Sequence, residues 1–433
     1  MEQEAWVISI NMGYGHQRTA YALREIAVNN KIICANDYEG IPARDRGFWN
    51  GSRKFYETIS RFNDIPLIGK RIFKIYDKLQ KIGDFYPKRN LSKAGFTEWF
   101  TYQMFSFHWG EHLIKKICWP AKGEKAKPFI STFFIPAFMA EHYNYPGEIY
   151  CVVCDADVAR GWAPLVPQKS RIKYFAPNER TRQRLALYGV PKENIFLTGY
   201  PLPMSCIGDK TRKILKNDIK SRLINLDPEK NYEKNYASLI DIYLKETTVT
   251  SVHPLTIMFA VGGAGAQKDI GVKLLTSFKK DIEKNGAKVI LVAGTKIKIK
   301  EYFEEEIKGL QMEKLKNIEI VYADNFNDYF DAFNEALSKA DILWTKPSEL
   351  SFYTALGVPI VIAPTIGSQE DFNKEWLITS GFGAEQGNVD YSHEWITDWL
   401  RAGKFAEMAM EGFVKEEQLG ALNIKKIVFE KKE

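Results

Sequence analysis

Residues 10–23, INMGYGHQRTAYAL, decide how this chain is read. The run WVISI at 6–10 has the apolar, β-branched character of a buried strand, and TAYAL alternates small and apolar residues as a helix does. Between them stand two glycines and His16. Glycine is ordinary at a strand-to-helix turn, because it reaches φ > 0 and lets backbone approach backbone. The dinucleotide fingerprint GxGxxG fits Gly13 and Gly15 but meets Arg18 at its third position, where close helix–strand packing needs a glycine. Asp37, at a suitable distance for a ribose contact, does not offset that. What remains is a glycine loop opening a helix, with backbone N–H groups offered to an anion and an imidazole beside them. Gly15 is the position where this turn is expected to need φ > 0.

At 433 residues the chain exceeds one ordinary core and suits two domains. Its 45% hydrophobic and 26% charged residues are those of a soluble globular protein. A net charge of +6 suits phosphate-bearing substrates or an anionic surface and falls short of a dedicated nucleic-acid binder. Among five cysteines, Cys151 and Cys154 form one CxxC without a second pair or a histidine at ligand spacing, so both read as strand-buried thiols and no metal site is predicted. No apolar run approaches the ~20 residues of a membrane span. The N-terminal MEQE lacks the basic and apolar regions of a signal peptide, so a cytoplasmic protein with reduced cysteines is expected.

Residues 44–127 interleave dense aromatics with Lys and Arg. Within them Ile68, Ile72, Ile75, Tyr76, Leu79 and Ile82 recur at helical spacing, with Lys70, Arg71, Lys74 and Lys78 largely between them. That pattern predicts a basic amphipathic helix, either packed on the domain with a solvated face or resting on anionic lipid at the inner face of a membrane. Strand-and-helix alternation resumes with PFISTFF, EIYCVVCD and RIKYFAPNERTRQRLALYGVPKENIFLTGYPL. Residues 206–254 turn polar, with one helix expected near Ala237–Lys245. A second alternating series begins at LTIMFAVGGAGAQKD and runs through KVILVAG, IEIVYADN and ADILWTKPSELSFYTALGVPIVIAP. The expected architecture is α/β, two Rossmann-like doubly wound domains facing a cleft. The N-terminal domain spans 1–205, an inter-domain region 206–249, the C-terminal domain 250–403, and a last segment, 404–433, returns toward the N-terminal domain.

Several segments together resemble GT-B glycosyltransferases, in the branch of monogalactosyldiacylglycerol synthases, processive diacylglycerol glucosyltransferases and the peptidoglycan GlcNAc transferase. MGYGHQRTAYAL is similar to the branch's N-terminal glycine loop, and YGVPKENIFLTGYPL to its GVP…I…TGxP segment. VGGAG, TKPSELSFYTALGVPIVI and GSQEDFN resemble its C-terminal glycine loop, its TKPGGLTxxEALxxGxP segment and its donor-sugar motif, in that order. Three departures stand out. The family's ribose-binding Glu is Thr354, its paired glycines are Ser348 and Glu349, and no histidine lies between Asp155 and Trp162 in CDADVARGW.

The resemblance implies transfer of a hexose from a nucleoside diphosphate sugar, a UDP-sugar foremost, to a hydroxyl of a lipid or other amphiphile, without cofactor or metal. His16 becomes the candidate base, since its pKa lies near working pH, and Asp155 either orients it or serves as base itself. Gly13, Gly15, Gly262, Gly263, Gly265, Lys346, Ser348, Glu349, Ser351, Thr354, Gln369 and Glu370 are assigned to donor and nucleotide, with Arg160 and Lys268 as further cations near phosphate. Lys70, Arg71, Lys74, Lys78 and Trp162 are assigned to acceptor and membrane. The rival readings are a nucleotide-sugar 2-epimerase of the same layout, which would want a carboxylate-rich cleft, and a lipid- or glycan-binding protein of this fold that has lost catalysis through Thr354.

Overall fold

The computed structural model describes residues 3–51, 82–245, 247, 249, 252–260, 265, 267–365 and 368–430. The predicted basic helix, with Lys70, Arg71, Lys74 and Lys78, lies outside them, as do Gly262 and Gly263.

The apolar runs form two parallel six-stranded sheets. The first holds β1 (Trp6–Ser9), β2 (Ile33–Cys34), β3 (Phe129–Ser131), β4 (Ile149–Val152), β5 (Lys173–Ala176) and β6 (Ile195–Leu197), in spatial order β2-β1-β3-β4-β5-β6. The second holds β7 (Leu255–Ala260), β8 (Ala287–Gly294), β9 (Ile318–Tyr322), β10 (Ile342–Thr345), β11 (Ile360–Ile362) and β12 (Gly383–Glu385), in order β12-β11-β10-β7-β8-β9. Strands such as β4 and β10 are buried along their whole length, which is why they read as continuous apolar runs without alternation. The fold is α/β with two Rossmann-like sheets. Each order reverses once, between β1 and β3 in the first sheet and between β7 and β10 in the second. Such switch points leave a crevice at the strands' carboxyl ends, where ligands of open parallel sheets bind.

The chain divides into two compact units, Met1–Pro201 with Gly367–Phe372 and Leu419–Glu433, and Leu202–Ile366 with Asn373–Gln418. In the first unit, helix α1 (Tyr14–Tyr21) follows β1, α2 (Phe96–Ser106) belongs to the aromatic segment, α3 (Phe134–His142) follows β3, and α4 (Glu179–Leu187) follows β5. The helix Gly420–Phe429 packs Ala421 and Ile424 into the same core as Ala5, Val7, Leu23, Val152 and Phe175. Its first residue must be small, because a Cβ on Gly420 would lie 2.3 Å from the Tyr200 carbonyl oxygen.

In the second unit the polar stretch after 206 carries two helices, α5 (Lys213–Leu226) and α6 (Asn231–Leu244), where sequence periodicity shows one. The α5 face that is buried includes Ser221 and Arg222 beside Leu215, Ile219 and Leu226, so polar residues interrupt its apolar period. Arg222 is buried because it has carbonyls to satisfy it. Its guanidinium donates to the Ala340 oxygen at 2.7 Å and to those of Leu356 and Gly357 at 3.0 Å each. Those last two carbonyls end the 3₁₀ helix Glu349–Leu356. The helix Lys404–Lys415 packs on the same turn, and a Cβ on its Gly412 would stand 2.5 Å from the Thr354 carbonyl oxygen. Gly→Ala inside a helix ordinarily stabilises by about 0.5–1 kcal/mol. Gly412→Ala is expected to reverse that sign and destabilise by roughly 1–3 kcal/mol, because backbone must move. Denaturant unfolding of the variant checks this, and a neutral or stabilised variant contradicts it.

Candidate functional site

β1 ends at Ser9 and the chain turns through Gly13 (φ +104) into α1. The left-handed glycine is therefore Gly13. Gly15 lies inside α1 with helical geometry, which corrects the expectation that Gly15 needs φ > 0. The first turn of α1 sets His16 beside the end of β3, across the switch point of the sheet. There His16 Nδ1 meets the Thr132 carbonyl oxygen at 2.8 Å, and Thr132 Oγ1 donates to the His16 carbonyl at 2.8 Å. A carbonyl only accepts, so Nδ1 carries the proton and the neutral ring keeps its lone pair on Nε2. The Cys154 thiol stands 3.3 Å from the same Nδ1. That residue follows β4 and is not part of the strand, while Cys151 lies within it. Neither is in a disulfide, and both are buried.

Aromatic rings wall this imidazole. Phe133 meets it edge-on at 4.8 Å between centroids, Trp162 lies at 6.3 Å, and Phe134 bridges the two at 4.3 Å from Phe133 and 5.3 Å from Trp162. His16, Phe133 and Phe134 are partly exposed and Trp162 is buried. Sequence analysis finds His16 and Trp162, reads Cys154 only as a strand-buried thiol, and passes over Thr132, Phe133 and Phe134. The signal was present, since TFF follows β3 at its carboxyl end, where a parallel sheet places its site.

The loop bearing Asp155 and Trp162 is clamped at each turn. Thr181 Oγ1 donates to the Asp155 carbonyl at 3.3 Å. Asp157 takes both prongs of the fully buried Arg184 at 2.8 Å and Arg180 Nε at 2.9 Å. Tyr188 and Tyr174 hydroxyls donate to the carbonyls of Val158 and Trp162, each at 2.8 Å. Arg160, expected near phosphate, is spent on main-chain carbonyls of Ser92, Ala163 and Pro164, so it ties the aromatic segment to this loop. Burial is the leading influence on its guanidinium and lowers its pKa.

The second sheet's switch point receives the other candidates. After β10 come Lys346 and Ser348, both half-buried. Ser348 caps the 3₁₀ helix, its hydroxyl accepting from Leu350 N at 3.4 Å, and its carbonyl accepts from Ser351 N at 2.9 Å. Glu349 is buried in the first turn, and the Ser351 hydroxyl is buried without a hydrogen-bond partner among the described residues. Thr354 is fully buried, donates its hydroxyl to the Ser351 carbonyl at 3.0 Å and faces Gly412, a packing environment. After β7, Gly265 adopts φ +69. Lys268, expected as a phosphate cation, places its ammonium 3.6 Å above the Tyr302 ring. Gln369 and Glu370 occupy the first turn of the helix Ser368–Ser380 and are grouped with the first unit. Among the described residues no cluster of His, Cys, Asp and Glu could hold a metal ion, and no helix is long and apolar enough to cross a membrane.

No protein-family model matches the sequence, and no curated protein matches it. Among solved structures, MurG from Acinetobacter baumannii is similar at TM-score 0.44 and 12% identity, covering 98% of this chain and 99% of its own. A glycosyltransferase from Rickettsia africae is similar at TM-score 0.42 and 12% identity, over 99% and 100% of the two chains. UDP-GlcNAc 2-epimerase from Neisseria meningitidis, solved with UDP-GlcNAc, is similar at TM-score 0.42 and 11% identity, over 70% and 76%.

Proposed function

We propose that the chain is a glycosyltransferase of the GT-B type, moving a hexose from a nucleoside diphosphate sugar, UDP first among them, to a hydroxyl of an amphiphilic acceptor. The observation that carries this reading is the His16 ring. Its Nδ1 proton is held by the Thr132 carbonyl, so the tautomer with a basic Nε2 is built in, at a switch point and against an aromatic wall. That is what a general base for an alcohol needs. As it takes the acceptor proton, the oxygen attacks the sugar's anomeric carbon and the bond to the diphosphate breaks. The rings of Phe133 and Phe134 suit the apolar part of an acceptor. Asp155 is the second candidate base.

The diphosphate is assigned to the turn Lys346–Ser351 and the glycine loop around Gly265, where backbone N–H groups and Lys346 meet negative charge and no divalent cation is required. Recognition of the ribose falls to Glu349 in preference to Thr354, whose hydroxyl is already used within its own helix. Gln369 and Glu370 are assigned to the sugar hydroxyls, as the sequence resemblance implies.

A thermal-shift and calorimetric screen of nucleoside diphosphates and their sugars tests the donor assignment. A ligand that binds only the folded state at 100 times its Kd stabilises by about 2.7 kcal/mol, so UDP or a UDP-sugar is expected to raise the melting temperature visibly. Absence of any shift and any heat across the panel would overturn the assignment in favour of a binding protein. Solvent deuterium appearing at C2 of the donor sugar, with no acceptor present, would mark epimerase chemistry instead.

A further inference from the structure

The first unit carries a surface cavity of about 350 Å³, at the lower end of the range for small-molecule sites. Lys88, Arg89, Asn90 and Ser92 form one wall, and Gln168 with the last turn of α4 forms the other. The walls meet at Gly189 (φ +89), where a Cβ would stand 2.6 Å from Gln168 Nε2 and 2.8 Å from Ser92 Cβ. Helix α4 returns from the carboxyl end of β5 to the amino end of β6, which pairs with it in parallel. Its last turn and the cavity therefore lie at the edge of the sheet opposite His16. The carboxyl end of a helix ordinarily repels an anion. Here the last four carbonyls of α4 are already bonded. Those of Arg184, Leu185, Ala186 and Leu187 accept from Tyr188 N at 3.0 Å, Val190 N at 3.1 Å, Gly189 N at 3.0 Å and Leu91 N at 2.8 Å. The cavity is lined by donors instead. Lys88 Nζ donates to Gln183 Oε1 at 2.7 Å and keeps the rest of its protons. Arg89 Nη1 donates to the carbonyls of Asp84 and Pro87 at 3.2 and 3.0 Å, and its Nε and Nη2 have no partner among the described residues. Asn90 Oδ1 accepts from Ser92 N at 2.9 Å, which leaves its Nδ2 as a donor. Among the described residues no Asp or Glu lines the cavity. The Glu179 carboxylate, on the first turn of α4, is taken by Arg182 and by Gln183 Nε2 at 2.6 Å.

We propose that this cavity binds a soluble phosphate monoester of about the size of a phosphorylated monosaccharide. Two adjacent cations without a carboxylate match a group that carries about −1.5 to −2 charge at neutral pH. The Arg89 fork and the Lys88 ammonium suit its oxygens. Asn90, Ser92 and Gln168 offer donors and acceptors to hydroxyls on the rest of the molecule. Among the lining residues only Ala186 and Leu187 have apolar side chains, so the cavity offers no lane for an acyl chain. Both walls are also bonded to the loop that carries Trp162. Arg160 donates to the Ser92 carbonyl at 2.9 Å and to those of Ala163 and Pro164 at 2.7 and 3.0 Å. On the other wall the Tyr188 hydroxyl, next to Gly189, donates to the Val158 carbonyl at 2.8 Å. A ligand that draws the walls together therefore stiffens this loop, whose Trp162 lies 6.3 Å from the His16 ring. Any consequence for turnover rests on the transferase reading. Binding itself does not, and it is measured without turnover.

The test is calorimetric titration of the full chain at constant ionic strength with glucose 6-phosphate, inorganic phosphate and glucose, each repeated in the presence of UDP. Glucose 6-phosphate is expected to bind, inorganic phosphate more weakly, and glucose not at all. Lys88→Gln with Arg89→Gln should weaken glucose 6-phosphate binding at least about tenfold, since hydrogen bonds to charged groups are worth more than one decade. Both side chains are exposed, so the melting temperature is expected to hold. Gln168→Ala removes an uncharged part of the wall and should weaken the ester while leaving inorganic phosphate unchanged. Amide exchange over residues 156–164 should slow with glucose 6-phosphate in the wild type and not in the double variant. Four results would overturn the proposal: no heat with glucose 6-phosphate, equal affinity for glucose, full affinity in the double variant, or displacement by UDP. The last would move the ester to the turns after β7 and β10. Equal affinity for inorganic phosphate would overturn the ester assignment. Retention on phosphatidic acid vesicles that the double variant abolishes would give the two cations to a lipid headgroup instead. Binding with unchanged amide exchange would strike the link to the Trp162 loop. If glucose 6-phosphate binds while the nucleotide screen is blank, this site stands and the transferase reading falls.

Discussion

His16→Ala is expected to lower turnover by about 10²–10⁴-fold, the usual cost of a lost general base. Nucleotide affinity should stay nearly unchanged, because the donor is assigned to the turns after β7 and β10. The structure sharpens the comparison by supplying a second substitution. Asparagine at position 16 can still donate to the Thr132 carbonyl, yet it has no basic nitrogen. If His16 served only to brace the end of β3, His16→Asn would restore activity. If it moves a proton, His16→Asn should remain as inactive as alanine. The acid limb of the kcat/KM profile should also vanish in both variants, since protonation of the imidazole is what removes the base in the wild type. Full activity of either variant, with the acid limb retained, would strike His16 from the mechanism and leave Asp155 as the group to test.

The largest effect on stability is expected at Asp157. Arg184 is wholly buried and its fork is matched by that one carboxylate. Removing a single partner of a buried ion pair strands the other charge and costs about 3–5 kcal/mol. Asp157→Ala should therefore weaken the first unit by that amount in denaturant unfolding, with the second unit's transition unmoved if the two units melt separately. Replacing both partners, as in Asp157→Leu with Arg184→Met, should recover much of the loss, because an apolar pair of similar size is often neutral in a buried site. The double variant leaves Arg180 stacked 3.8 Å over Phe85 and lacking its carboxylate, so recovery is expected to be incomplete. An alanine variant as stable as the wild type would show that water reaches Arg184.

The contrast between His16 and Asp157 shows what the sequence could and could not disclose. Both sheets were legible because central strands such as β4 and β10 are buried along their whole length and read as continuous apolar runs, a pattern that needs no knowledge of partners. The histidine was legible because a titratable residue after a glycine loop is chemically conspicuous. Its setting was not. Thr132 meets the ring through a main-chain carbonyl, which any residue would supply, and its hydroxyl contact to the His16 carbonyl spans 116 residues, while Phe133 and Phe134 look like ordinary strand continuation. Asp157 and Arg184 stand 27 residues apart and each resembles a solvated surface charge until the fold brings them together. Arg222 hid α5 in the same way, by placing a charge where the helical period calls for an apolar side chain. The positive φ was assigned to Gly15 when Gly13 bears it, since two glycines flanking one tyrosine offer no local reason to choose.

The helix Gly420–Phe429 imposes an order on synthesis. Its Ala421 and Ile424 complete the core laid down around β1, hundreds of residues earlier in the chain. A ribosome making this protein from its N-terminus therefore releases a first unit that cannot close. The second unit, whose segments lie between 202 and 418, can assemble meanwhile. Domains ordinarily fold in the order in which they emerge. Here the earlier-made sheet waits for a helix made after the second unit, with part of the core around β1 uncovered in the interval. A fragment stopped at residue 201 would carry that exposure permanently, so expression of the N-terminal half alone is a route to aggregation and not to an isolated first unit.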